Sequence, residues 1–83
     1  MANIFLLEDD KILSKGISIA LEKDKHTVTV VYGYMEALQT YQKQKYDLFL
    51  LDINLPDGSG IELCKKIRET SEIPILFLTA NDT

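Results

Sequence analysis

Acidic side chains follow two apolar runs of this sequence, and a hydroxyl side chain follows a third. The runs are Ile4–Leu7, Leu48–Leu51 and Ile75–Leu78. Glu8, Asp9 and Asp10 come after the first run, Asp52 after the second and Thr79 after the third. Continuous apolar runs are typical of strands buried on both faces of a parallel sheet, and such sheets place ligands at the carboxyl ends of their strands. We therefore expect these polar side chains to meet at one edge of a sheet.

Such a cluster would support the binding of a hard cation beside a nucleophilic carboxylate. Carboxylates about 4 Å apart repel by roughly 4 kcal/mol at an effective dielectric of 20, so a proton or a cation must relieve them. Oxygen ligands without a nearby His or Cys favour Mg²⁺ or Mn²⁺ over zinc. A carboxylate beside bound Mg²⁺ can attack a phosphoryl group, and the Thr79 hydroxyl could donate a hydrogen bond to it. The sequence has no glycine-rich loop ending in Gly-Lys-Ser/Thr, so the phosphoryl group must come from another molecule.

The spacing of apolar residues predicts four strands that alternate with three helices. The strands are expected at Asn3–Leu7, Thr27–Val31, Asp47–Asp52 and Pro74–Thr79. The helices are expected from a cap at Asp9 or Asp10 to about Lys23, over Tyr34–Gln44 and over Gly60–Arg68. With right-handed crossovers, this order predicts an α/β fold with an open, doubly wound parallel sheet.

All three helices carry an apolar pattern at helical spacing, and a loop precedes the last helix. The pattern residues are Ile12, Leu13, Ile17, Ala20 and Leu21 in the first helix, Ala37, Leu38 and Tyr41 in the second, and Ile61, Cys64 and Ile67 in the third. Asp57-Gly58-Ser59-Gly60 is similar to a phosphate loop, but we interpret it as a turn that caps the third helix.

Composition limits the chain to a small domain and argues against several functions. The 83 residues carry nine basic and thirteen acidic side chains, for a net charge of −4, which is not the basic footprint of a nucleic-acid-binding domain. The single cysteine, Cys64, rules out an internal disulfide and agrees with a reducing compartment. Neither a signal peptide nor an apolar run long enough to cross a bilayer is found. The expected location is the cytoplasm, with no membrane partner.

The acidic and hydroxyl residues, in their order along the chain, resemble a known family. The residues that carry the resemblance are Glu8-Asp9-Asp10, Asp52, Pro56, Gly60 and Thr79-Ala80. Together they look like the receiver (CheY-like) domain of bacterial two-component response regulators, over the whole chain. The resemblance implies a flavodoxin-like fold with strand order 2-1-3-4. It also implies that a sensor histidine kinase transfers its phosphoryl group to the domain in a Mg²⁺-dependent reaction.

The resemblance implies a role for each matching residue. Asp52 would be the phosphoacceptor and would also contact the metal. Asp9 would bind Mg²⁺ directly, Glu8 through a metal-bound water and Asn54 through its backbone carbonyl. Thr79 would be the switch hydroxyl. The domain would act as a phosphorylated signalling switch and not as an enzyme, beyond self-phosphotransfer and slow autodephosphorylation.

A Glu-Asp-Asp triplet is common in the OmpR/PhoB-like branch, whose members carry a C-terminal winged-helix DNA-binding domain. Control of transcription through such an output domain is therefore the expected function. A complete receiver also has a fifth strand and two more helices, with a Lys and an aromatic switch residue that match nothing here. We therefore expect residues 1–83 to be a partial receiver domain, without the rest of the receiver or an output domain. The uncovered fourth-strand side predicts self-association.

Two other functions use similar residues. A haloacid-dehalogenase-like phosphohydrolase also has a strand-end Asp nucleophile with Mg²⁺, but it needs a second Asp where this chain has Asn54, and its nucleophile follows the first strand. A flavin- or nucleotide-binding module of similar fold would place Ser, Thr or Gly after the first strand, where Glu8-Asp9-Asp10 would repel a phosphate.

Overall fold

Large apolar and β-branched residues dominate the strand segments, and they form the sheet that the alternating pattern predicts. The computed structural model describes residues 1–78, so Thr79 and its switch role lie outside the described residues. The elements in chain order are β1 (Asn3–Leu7), α1 (Lys11–Lys23), β2 (Thr27–Val31), α2 (Tyr34–Thr40), β3 (Leu48–Asp52), β4 (Asn54–Leu55), β5 (Gly58–Ser59), α3 (Gly60–Arg68) and β6 (Ile75–Leu78).

The main sheet has the strand order β2-β1-β3-β6, and each neighbouring pair runs parallel. This confirms the predicted order 2-1-3-4, because β6 is the fourth strand of this sheet. Leu7 pairs with Val31 on one side and with Leu51 on the other. The carboxyl ends of β1 and β3 therefore lie side by side in the middle of one sheet edge, where acidic residues follow.

Helices cover both faces of the sheet, as the doubly wound prediction requires. Ile4 and Leu6 of β1 pack in one apolar cluster with Ile17 of α1. Phe5 and Leu7 point to the opposite face and pack in a second cluster with residues of α2 and α3. The helix residues buried in that second cluster are Ala37, Leu63 and Ile67.

The second helix is shorter than predicted. It ends at Thr40 instead of Gln44, and a turn follows in which the Lys43 N–H donates to the Thr40 carbonyl at 3.0 Å. Residues 42–45 are all polar and exposed, so no apolar side chain holds a further helical turn against the sheet. Where a plain turn was predicted after β3, the structure has a short hairpin formed by the two-residue strands β4 and β5.

The apolar face predicted for α1 is only partly correct. Ser14, Ile17 and Leu21 lie at positions i, i+3 and i+7 and form the face that packs on the sheet. Ile12 and Leu13 point away from that face and are 87% and 48% exposed. The first turn of α1 therefore presents apolar side chains to the outside.

Substitutions in α3 test its orientation. Leu63, which the sequence pattern did not include, is fully buried, whereas Ile61, which the pattern placed on the buried face with Cys64 and Ile67, is 44% exposed. Leu63→Ala should lower the free energy of unfolding by roughly 2–5 kcal/mol, and the control Ile61→Ala by about 0.5 kcal/mol. Urea denaturation followed by circular dichroism would measure both. Equal losses would contradict the observed face.

Candidate metal centre

Three carboxylates converge where β1 and β3 end. Glu8 and Asp9 follow β1, and Asp52 is the last residue of β3. One carboxylate oxygen of each lies within 4.8 Å of the other two. Glu8 and Asp52 are buried, at 4% and 8% exposure, while Asp9 is exposed. The pairing of β1 with β3 produces this convergence, since it places the residues after each strand beside one another.

The electrostatics of the cluster are unfavourable without a cation. Burial raises the pKa of Glu8, and the Asp52 and Asp9 carboxylates raise it further against the opposing effect of the Asp10 N–H. Burial also raises the pKa of Asp52, and Asp9 adds to the rise through hydrogen bonding and charge. Unit charges 4.8 Å apart repel by about 1 kcal/mol in water and about 3.5 kcal/mol at an effective dielectric of 20. A bound cation would relieve this repulsion.

No basic side chain neutralises the cluster within residues 1–78. The salt bridge formed in this part of the chain joins Glu62 and Lys65 on the exposed surface of α3. All the donors that converge are carboxylate oxygens, with neither His nor Cys among them. Mg²⁺ prefers such hard oxygen ligands and keeps several waters when few carboxylates bind it. The residues present therefore fit Mg²⁺.

Asp10 has a structural role beside the cluster. Its Oδ1 accepts hydrogen bonds from the N–H groups of Ile12 and Leu13, both at 3.0 Å, and so caps α1. Its own N–H donates to Glu8 Oε2 at 3.0 Å. The predicted cap is confirmed, and the same turn orients the Glu8 carboxylate.

After Asp52 the chain turns back, so that Gly60 lies against the end of β3. The Gly60 N–H donates to the Ile53 carbonyl at 2.9 Å. A Cβ at Gly60 would overlap the Asp52 carbonyl oxygen, so a side chain cannot be accommodated there. Between these residues Asn54 pairs with Ser59 in the β4–β5 hairpin, two positions beyond Asp52. The loop therefore holds Asn54 near the strand end that carries the cluster.

Asp57 makes a contact that the sequence pattern did not reveal. The predicted cap of α3 is correct, since the Ser59 hydroxyl oxygen accepts from the Ile61 N–H at 3.1 Å. Asp57 instead accepts hydrogen bonds from the N–H groups of Tyr34 and Met35, at 2.7 and 3.0 Å, at the start of α2. Its partners are 23 and 22 positions away, outside the range of local capping patterns.

Among residues 1–78, no helix has the length and apolarity that crossing a membrane requires.

A family model described as "Response regulator receiver domain" matches residues 4–83. The chain belongs to the response regulator receiver domain family. The response regulator ArlR of Staphylococcus haemolyticus is 32% identical over 80 residues, which are 96% of this chain and 36% of ArlR. The transcriptional regulatory protein AfsQ1 of Streptomyces coelicolor is 33% identical over 82 residues, 99% of this chain and 36% of AfsQ1. This receiver chain thus spans about a third of the length of the curated relatives it matches.

Solved structures share the fold of this receiver chain. The HemR receiver domain of Leptospira biflexa has a TM-score of 0.89 and 37% identity, covering 96% of this chain and 65% of the solved receiver-domain chain. TrrA of Thermotoga maritima, in complex with Mg²⁺-BeF, has a TM-score of 0.88 and 28% identity over 96% of this chain and 70% of TrrA. TrrA in complex with the histidine kinase ThkA has a TM-score of 0.89 and 27% identity over 100% of this chain and 72% of the other.

Asp52→Asn should stabilise the metal-free domain, because it removes one of three repelling charges. A gain of about 1 kcal/mol would raise the melting temperature by roughly 4–8 °C in a domain of this size. The raised pKa of Asp52 means that the folded state binds more protons than the unfolded state. Stability contributed by this carboxyl therefore falls as the pH rises from its ordinary value of 3.8 through the raised value.

The gap in melting temperature between Asp52→Asn and the wild type should therefore be small below pH 3.8 and widen above it. Asp24→Asn is the control, since Asp24 is exposed and caps α1 through its backbone. Millimolar Mg²⁺ should stabilise the wild type and narrow the gap. A gap that does not change with pH would contradict repulsion within the cluster.

Proposed function

We propose that this receiver domain accepts a phosphoryl group on Asp52 from a sensor histidine kinase, in a Mg²⁺-dependent reaction. The observation that carries the proposal is the buried Asp52 carboxylate at the end of a central strand, grouped with Glu8 and Asp9. A carboxylate in this position can reach a phosphoryl donor that approaches the edge of the sheet. Residues of the sheet and of the loop after β3 hold it in place.

In the proposed step, an Asp52 carboxylate oxygen forms a bond to phosphorus while the phosphorus–nitrogen bond of a phosphohistidine breaks. The electron pair leaves with the imidazole nitrogen, which then takes a proton from solvent. Mg²⁺, when bound, would neutralise charge on the phosphoryl oxygens. Asp9 would hold the ion directly, Glu8 through water and Asn54 through its backbone carbonyl. The Mg²⁺-BeF complex of the related TrrA supports the use of Mg²⁺ by this receiver.

A kinase partner is supported by the ThkA–TrrA complex and by the apolar residues at the rim of the site. Ile12 and Leu13 lie in the first turn of α1, two and three positions after the Asp10 cap, and expose apolar surface. We propose that the phosphodonor protein contacts this turn. Thr79 would then respond to phosphorylation as the switch hydroxyl.

The proposed output is transcription control in the cytoplasm, through a DNA-binding domain outside residues 1–83. The curated relatives support it, since AfsQ1 is described as a transcriptional regulatory protein and this chain covers 36% of it. The matching segment of such relatives is the receiver part, so DNA binding would belong to the remainder. These relatives support the proposal that this receiver belongs to the OmpR/PhoB-like branch.

A small phosphodonor tests the phosphoacceptor directly. Acetyl phosphate with Mg²⁺ should add one acid-stable, base-labile phosphoryl group, and mass spectrometry should locate it on Asp52. Asp52→Ala should abolish the adduct, whereas Asp10→Asn should keep it, because Asn also caps helices well. An adduct on another residue would contradict the proposal. Continuous release of phosphate without an adduct would favour a phosphohydrolase.

We further propose that the 83-residue chain by itself associates with a second copy through the β6 side. Leu76 and Phe77 point to opposite faces of the sheet and are 58% and 40% exposed, and no strand of residues 1–78 pairs with the outer edge of β6. Light scattering at tens of micromolar should show a dimer or larger species. Leu76→Lys should shift it towards the monomer, and Met35→Lys, which alters an exposed residue of α2, should not. A wild-type monomer would refute this proposal.

A further inference from the structure

We propose that Asp57 is a positioning residue for the candidate metal centre, because its carboxylate ties the loop that carries Asn54 to the start of α2. The inference rests on the proposed role of the Asn54 carbonyl as a metal ligand. It adds a residue that lies outside the cluster and acts on it through the hairpin after β3.

The tie is a two-point hydrogen bond between distant segments. Asp57 Oδ1 accepts from the Tyr34 N–H at 2.7 Å, and Oδ2 accepts from the Met35 N–H at 3.0 Å. Gly33 is the N-cap residue of α2 and has no side chain to fill this role. Both carboxylate oxygens are engaged, which restricts rotation of the side chain as well as its distance from the helix.

Two glycines allow the loop and the helix to approach this closely. A Cβ at Gly33 would lie 3.2 and 3.3 Å from the Asp57 oxygens. A Cβ at Gly58 would overlap Cγ of Tyr34, so the ring packs directly on the loop backbone. The backbone N–H groups of Met35 and Tyr34 lower the pKa of Asp57, in keeping with an ionised carboxylate in this contact. The contact therefore has steric and electrostatic components.

The hairpin transmits the position of Asp57 to Asn54. Asn54 pairs with Ser59 and Leu55 pairs with Gly58, so Asp57 lies in the turn between the two short strands. The bond from the Gly60 N–H to the Ile53 carbonyl closes the base of the loop next to Asp52. Fixing the turn at α2 thus fixes the short ladder that holds Asn54.

A purely structural reading is that Asp57 only caps α2. Asp57→Ala alone cannot separate the two roles, because it removes the cap and the tie together. The double variant Asp57→Ala/Gly33→Ser separates them, since the introduced serine hydroxyl would restore a local cap without linking the loop to the helix. Gly33 has extended φ and ψ of −154° and 170°, which a serine can adopt, and loss of the Asp57 carboxylate leaves room for its Cβ.

The experiment is a Mg²⁺ titration of the full 83-residue chain, followed by amide NMR and paired with thermal unfolding. Asp57→Ala should lose stability and bind Mg²⁺ about three- to tenfold more weakly. This loss is smaller than the roughly 10- to 100-fold loss of affinity typical when a group that hydrogen-bonds directly to a metal-binding residue is removed. The double variant should regain stability but keep the weakened binding. In the wild type, Mg²⁺ should also shift the amide signals of Tyr34 and Met35, because coupling between two sites is reciprocal.

The possible outcomes separate this inference from the proposed metal site. No Mg²⁺ binding by the wild type would overturn the metal site and this inference with it. If the double variant binds Mg²⁺ as tightly as the wild type does, this inference alone would be overturned. Asp57 would then be only the cap of α2. If Asp57→Ala does not fold, Asp57→Asn keeps one oxygen acceptor and should show a smaller loss of affinity. Unchanged affinity in that variant, with unshifted Tyr34 and Met35 amides in the wild type, would likewise overturn it.

Discussion

The parallel pairing of β1 with β3 is the constraint on which the site depends. It places the acidic residues after β1 beside Asp52 and holds carboxylate oxygens within 4.8 Å of one another. Such a group repels itself, so the rest of the domain must supply the energy that keeps it together. Phe5, Leu7 and Leu51 of the same two strands are fully buried, and burial of their side chains offsets part of this repulsion. The same repulsion favours binding of a cation, because the cation offsets the negative charges of the carboxylates.

The backbone of the loop after β3 fixes the surroundings of Asp52. Gly60 lets the chain pass against the Asp52 carbonyl, which places the start of α3 next to the strand end. Ser59 caps α3 from within the loop, while Asp57 reaches to α2. A single short segment therefore joins the strand that ends in Asp52 to two helices, so a change at Asp52 has a direct structural route to both.

Neighbouring elements cover the sheet unevenly, and some apolar side chains stay exposed as a result. The central strands are buried on both faces, whereas β6 leaves Leu76 and Phe77 exposed. At the opposite side, α1 turns Ile12 outward near the cluster because its sheet-facing positions are taken by Ser14 and Ile17. Apolar side chains at the first turn of α1 and on β6 are therefore among those left exposed.

The sequence by itself determined the order and type of the main elements, and it identified Glu8, Asp9 and Asp52 as neighbours. Apolar runs are local patterns that indicate buried parallel strands, and residues at the carboxyl ends of such strands meet at one edge of the sheet. The chemistry of the carboxylates indicated a cation site by itself, whereas the individual roles of Glu8, Asn54 and Thr79 come from resemblance to the receiver family and have no local physical signature. Only the tertiary structure decided that α2 stops at Thr40, that Ile12 faces outward and that Asp57 caps a helix 23 positions away. Each depends on which segments meet in space, and periodicity along one segment carries no information about that.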